Sequence, residues 1–179
     1  MADGITPYDM VIDYITGKKI PEVGSEANRQ KVERFLVENR GYAKEDVEVD
    51  VGIELDVAGE IYRSAIDLVV STGGRRFMAI KCAAGSLGSR EREILSVSRL
   101  LESYQMSYAV VSDGKNAIVL DAISGKKIGQ GLDAVPTKAL AEKKLAEEPL
   151  IPLAENRREK EKLIFRTYDS SNVNVQRNL

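Results

Sequence analysis

The chain has 179 residues and a mass of 19.7 kDa, with 43% hydrophobic and 30% charged residues, the balance of a soluble, folded protein. It carries 28 acids against 26 Lys and Arg, for a net charge of −2, and contains no His, no Trp and one Cys. These absences exclude a His general base, a Ser-His-Asp triad, a Cys-His pair, a His or multi-Cys zinc site and an intrachain disulfide, and leave carboxylates, Lys, Tyr, Ser and metal-bound water for any chemistry.

The net charge hides an uneven spread. Residues 1–60 hold 14 acids and 7 bases, whereas residues 61–100 hold 3 acids and 7 bases. The near-neutral total is not that of a typical nucleic-acid-binding domain, but the middle of the chain is basic. The first residues, MADGITPYDM, have neither the basic start nor the apolar run of a signal sequence, and nothing resembles a membrane span, so a cytoplasmic protein with a reduced Cys82 and no membrane partner is expected.

In chain order, the apolar and aromatic set Ile5, Tyr8, Met10, Val11, Ile12, Tyr14 and Ile15 predicts a short helix ended by Gly17. Residues 25–39 repeat apolar Val32, Phe35 and Leu36 at helical spacing, with Ser25 as cap, Glu26 in the first turn and Gly41 as stop. Residues 47–57 alternate strictly, Val47 to Val57 on one side and Glu48, Asp50, Glu54 and Asp56 on the other, which predicts a half-buried strand. A turn at Ala58-Gly59-Glu60 leads to a second strand over 61–71. Thr72-Gly73-Gly74 signals a hairpin into a third strand, RRFMAIKC, over 75–82. A loop of small residues follows, then a helix capped by Ser89 and running to about Tyr104, with Ile94, Val97, Leu101 and Tyr104 as its core stripe. Strands at 108–111 and 117–120 complete the pattern. The helix between strands 75–82 and 108–111 suits a crossover with parallel pairing, so the core reads α-βββ-α-ββ, an α/β mixed sheet with helices on its faces.

Beyond Pro136 the composition shifts to charged helix formers at 138–147 and about 155–168, separated by Pro149 and Pro152. The expected organisation is an α/β domain over 1–136 (core about 22–130), a helical extension over 137–168 and a polar tail over 169–179.

Asp67 falls late in one predicted strand and Lys81 late in the next, with the acidic Glu26 on the preceding helix. This arrangement resembles the PD-(D/E)xK nuclease superfamily, a restriction-endonuclease-like fold. More specifically, NRQKVERFLVENRGY, EIYRSAIDLVV, RRFMAIKCAAGSLGSREREILSVSRLLESY and YAVVSDGKNAIVLDAISGKKIG resemble the N-terminal domain of type I restriction enzyme R subunits, over roughly residues 20–135. The resemblance implies a metal-dependent DNA endonuclease in which Asp67 and a second carboxylate hold Mg²⁺, with Mn²⁺ as a substitute. Lys81 then positions the attacking water, and Glu26 is a further site residue. The implied partners are DNA and either a second copy of the chain or restriction-modification subunits.

Two positions depart from that pattern. The family's metal-binding Glu belongs two residues before Lys81, where this chain has Ala79, and Leu100 stands where some relatives carry a Gln four before the Tyr matched by Tyr104. Some members of the superfamily supply the missing acid from the following helix, which here opens with Glu91 and Glu93; Glu93 is the better match by spacing. The alternative is a degenerate nuclease fold that serves as a DNA-binding or protein-assembly module. A purely structural dimer is a third reading.

Strand geometry sets a condition on the site. A two-residue loop at 73–74 pairs Asp67 with Ile80 and sends Lys81 to the opposite face, so the site requires a longer loop or a bulge. The plainer reading of a buried Asp67 is a structural ion pair with Lys81 or Arg63. The small-residue loop and helix start at 83–92 present Ser89, Arg90 and Arg92 as candidates for a DNA phosphate backbone. Arg75 and Arg76 flank a hairpin, the mixed-sign run from Arg157 to Lys162 reads as a solvated face, and Cys82 reads as core.

Overall fold

In a computed structural model, which describes residues 8–172, a six-stranded mixed sheet is flanked by helices on both faces. Its strands are β3 (Val47–Val57), β4 (Glu60–Thr72), β5 (Arg75–Cys82), β6 (Tyr108–Ser112), β7 (Ala117–Asp121) and β8 (Lys127–Gln130), in that spatial order. Only β5 and β6 pair in parallel. The helix between them, α2 (Glu91–Leu100), is the expected crossover. Helix α1 (Glu26–Arg40) covers one face, where Val32 and Leu36 pack with Leu68, Val70, Met78 and Ile80. Helices α2 and α4 (Glu155–Asn172) cover the other, where Ile94, Val97 and Phe165 pack with Val69, Ala79, Ala109 and Val111. Helix α3 (Lys138–Glu147) starts at Thr137, whose hydroxyl accepts from the Leu140 amide.

Several local expectations are corrected. Residues 8–21 form not a helix but a hairpin, β1 (Met10–Ile12) with β2 (Lys19–Pro21). The Asp13 carboxylate accepts from the amides of Ile15 and Thr16, and this local turn competes successfully with a helical one. Ile5 lies outside the described residues. Ser25 and Gly41 do bound α1, Gly41 in the left-handed conformation at φ 82°, but the Ser25 side chain makes no capping bond. Ser89 does not cap α2; its hydroxyl donates to the Ser86 carbonyl, and the helix begins two residues later. The α2 helix ends at Leu100, so Tyr104 is free of it and donates to the Arg76 carbonyl. Strand β8 was not expected. Helix α4 continues through 169–172, which the sequence assigned to a polar tail; 173–179 lie outside the described residues.

The long hairpin β3–β4 does not keep one apolar face. Val47 and Val49 pack on the α1 side, whereas Val51, Ile53, Leu55 and Val57 pack on the α2–α4 side. On β4, Leu68 and Val70 belong to the first side and Ile66 to the second. The register is the same before and after the step, Val49 opposite Leu68 and Val51 opposite Ile66. Both strands therefore turn over together at the intervening pair, Asp50 and Asp67. Asp50 has φ 53°, one of two non-glycine residues in the left-handed region among those described.

Candidate metal centre

The hairpin between β4 and β5 turns through two residues, Gly73 and Gly74, the loop length that by itself would separate Asp67 from Lys81. A bulge resolves the conflict. Thr72 faces Arg75 and Ser71 faces Arg76, but Val70 then faces Met78, so Phe77 is an extra residue on β5. Carried past Leu68–Ile80, the shifted register sets Asp67 across from Lys81, on the same face as Val69 and Ala79. The ladder stops there. In place of a backbone partner, the Cys82 amide donates to Asp67 Oδ2 at 2.8 Å. Asp67 thus fills the gap where β4 leaves β5, buried and fixed by a main-chain donor.

Lys81 lies between two carboxylates. Its Nζ is 3.7 Å from Asp67 Oδ2 and 3.1 Å from Glu93 Oε1. Glu93 comes from the first turn of α2, the following helix on which a second acid was expected; Ala79 itself is fully buried under that helix. Burial raises the Glu93 carboxyl above its ordinary value. Lys81 opposes that rise, while Asp169 of α4, close enough to share a proton with Glu93, adds to it. Arg63, the other partner considered for Asp67, instead pairs with Glu54 on the surface at 2.7 Å.

Glu26 reaches the same neighbourhood from the other side of the sheet, but its contact is to Arg29, at 2.6 Å. Burial raises its carboxyl, Arg29 opposes this, and the nearby Asp50 and Asp67 reinforce it. Arg29, which the sequence analysis did not single out, is buried and also meets Asp13 at 3.2 Å, Asp50 at 3.3 Å and Glu33 at 3.7 Å. Its position three and seven residues before Val32 and Leu36 puts it on the buried stripe of α1, a signal legible in the spacing.

The three residues considered for DNA stand at the opening of α2. Ser89 and Arg92 are exposed and Arg90 is partly covered; the Arg92 guanidinium lies 5.6 Å from the Tyr168 ring centroid. Arg76 is held by Glu48 at 2.7 Å and Glu102 at 2.9 Å, which makes it a strut between the strands and the segment that follows α2. Cys82 is buried, with its thiol pushed up by burial.

Hard oxygen donors from Asp67 and Glu93 converge on one cation, the Lys81 ammonium, and this donor set fits Mg²⁺ or Mn²⁺. Such ions keep several waters and take only one or two carboxylates. Among the described residues, no three Asp, Glu or Cys side chains are gathered as a metal-holding group.

Comparison with known proteins decides the family. Residues 24–136, well over half the chain, match the family described as the type I restriction enzyme R protein N terminus. The chain belongs to this family. No curated protein and no solved structure gives a significant match. Every residue of the Asp67–Lys81–Glu93 cluster lies inside the family's stretch, and α3 and α4 lie beyond it. No helix among the described residues is long and apolar enough to cross a membrane.

Proposed function

We propose that the chain is a metal-dependent DNA nuclease domain of the PD-(D/E)xK superfamily, in which Glu93 has taken over the role of the acid absent at Ala79. The observation that carries this reading is the 3.1 Å contact of Glu93 with a lysine that also touches Asp67. Asp67 and Glu93 would hold Mg²⁺ or Mn²⁺, which when bound supplies electrostatic stabilisation of the phosphate in the transition state. The chain's own groups do the rest. The Cys82 amide fixes the orientation of Asp67. Lys81, with three donors, stands where it can hold a water against the phosphate. Glu26 adds negative potential behind Asp67, and Ser89, Arg90 and Arg92 at the start of α2 meet the DNA backbone. The domain is taken as residues 1–136 with a helical extension, working in the cytoplasm on DNA, alone, as a homodimer or with restriction-modification subunits.

The test is cleavage of supercoiled, linear and single-stranded DNA with Mg²⁺ or Mn²⁺, by wild type, Asp67→Ala, Lys81→Ala and Glu93→Ala. Wild type is expected to cut, and each variant to lose about 100-fold or more. Equal cutting by all four proteins would reject the site. The ion pairing of Lys81 by both carboxylates also favours a second reading, a non-cleaving DNA-binding or assembly module. Salt-dependent DNA binding without cleavage would select it.

A further inference from the structure

Helix α4 lies outside the stretch matched by the family, yet it delivers a buried carboxylate to the candidate centre. Asp169 is 4% exposed. The Tyr62 hydroxyl of β4 donates to Asp169 Oδ2, and the carboxyl groups of Asp169 and Glu93 come close enough to share a proton. One turn earlier, Phe165 packs edge-on against the Tyr62 ring, with centroids 6.0 Å apart. Two turns earlier, Glu161 accepts from Arg99 at 2.7 Å and from Ser96 at 2.9 Å, both on α2. The helix is thus docked along its length by buried contacts, and Glu93 is held between Lys81 on β5 and Asp169 on α4.

We propose that Asp169 is a positioning residue: together with Tyr62 it holds the Glu93 carboxylate against Lys81 and makes the C-terminal helix part of the metal centre. The inference rests on the reading of Asp67, Lys81 and Glu93 as that centre. It extends the working unit past residue 136, because the geometry of one metal-holding carboxylate is then set by a side chain near the end of the described chain. Groups that orient a metal-holding side chain commonly matter almost as much as the ligand itself.

The experiment uses the full chain and two variants, Asp169→Ala and Asp169→Asn. Asn is isosteric, still accepts from Tyr62 and can donate to Glu93; Ala does neither. Two quantities are measured. One is the Mn²⁺ affinity, by electron paramagnetic resonance. The other is the acylation rate of Lys81 without metal, resolved by peptide mass spectrometry. Asp169→Ala is expected to bind Mn²⁺ about tenfold more weakly and to expose Lys81 to several-fold faster acylation, with Asp169→Asn within roughly threefold of wild type in both. Wild-type behaviour of Asp169→Ala in both measurements would overturn the proposal, and so would equal losses in Ala and Asn. If wild type binds no Mn²⁺, the metal reading falls, and the acylation rates alone decide whether Asp169 holds Glu93 on Lys81. If Asp169→Ala fails to fold, Tyr62→Phe takes its place. Faster Lys81 acylation in that variant is the supporting result and an unchanged rate the contrary one.

Discussion

Arg29 and Lys81 each draw a group of acids, and they are neutralised in opposite styles. Arg29, 3% exposed, gathers four acids from the N-terminal hairpin, its own helix and β3. Lys81, 14% exposed, gathers two, at the point where β4 and β5 part. The guanidinium is planar, permanently charged and able to bond several partners at fixed angles, so it works as an internal strut. The ammonium is a compact point charge near an opening, and two acids that hold one small cation can hold another. The contrast separates a cluster built to keep elements together from one fit for exchange.

The largest expected effect breaks the strut. Arg29→Met leaves the buried Asp13 and Glu33 and the partly covered Glu26 without their counter-charge and is expected to cost about 3–5 kcal/mol in urea unfolding. Lys81→Met is expected to cost about 1–3 kcal/mol, since only two acids lose a partner and Asp67 keeps the Cys82 amide. Equal losses would erase the distinction.

A second test uses pH. Burial, with Asp13 beside it, raises the Glu33 carboxyl from 4.5 to about 8, against the opposing charge of Arg29. The folded protein therefore binds more protons than the unfolded chain between these values. The contribution of Glu33 to stability falls as pH rises from about 4.5 to about 8, and levels off above that. The fall is on the order of a few kcal/mol. Glu26 and Asp50 also face Arg29, and Asp13 is held below its ordinary range because the hydrogen bonds from Thr16 and Gln30 outweigh its burial. Melting temperatures from pH 5 to 8.5 should show a downward slope in wild type and a shallower one in Glu33→Gln. A slope unchanged by the substitution would assign it to other groups.

The smallest effect sharpens the comparison at its edge. Asp50 touches Arg29 but is 57% exposed, so Asp50→Asn, which tolerates the left-handed backbone equally well, should change stability by less than about 1 kcal/mol. A larger loss would show that Asp50 belongs to the strut rather than to its solvated rim.

The order of elements from α1 to β7 was legible in the sequence because each has a clean period bounded by Gly or a turn signal. The β1–β2 hairpin was not legible, since its turn is made by one carboxylate folding back on two amides. Asp67 and Lys81 were readable as late residues of neighbouring strands, and Glu93 from the family resemblance, as an acid offered by the following helix; the bulge that puts Asp67 and Lys81 on one face was a condition that the sequence left open. Arg29 and Asp169 were missed for a shared reason. Each is a charged residue on the buried stripe of a helix, Arg29 with Val32 and Leu36, Asp169 with Phe165, where the apolar period alone says nothing about a polar member. Asp50 was placed on a solvated strand face, and no residue pattern announced its left-handed backbone.

The extra residue at Phe77 gives the hairpin a phase as well as a length. A single insertion or deletion between Asp67 and Lys81 does more than slide the strands by one step: unless a second change compensates, it sends the lysine through the sheet to the α1 side. Related chains should therefore keep Gly, Asn or Asp at the two left-handed turn positions, and change the number of residues between this Asp and Lys only in ways that restore the parity. That turns a count of residues, readable from any sequence, into a test of whether a relative retains the means to assemble this centre.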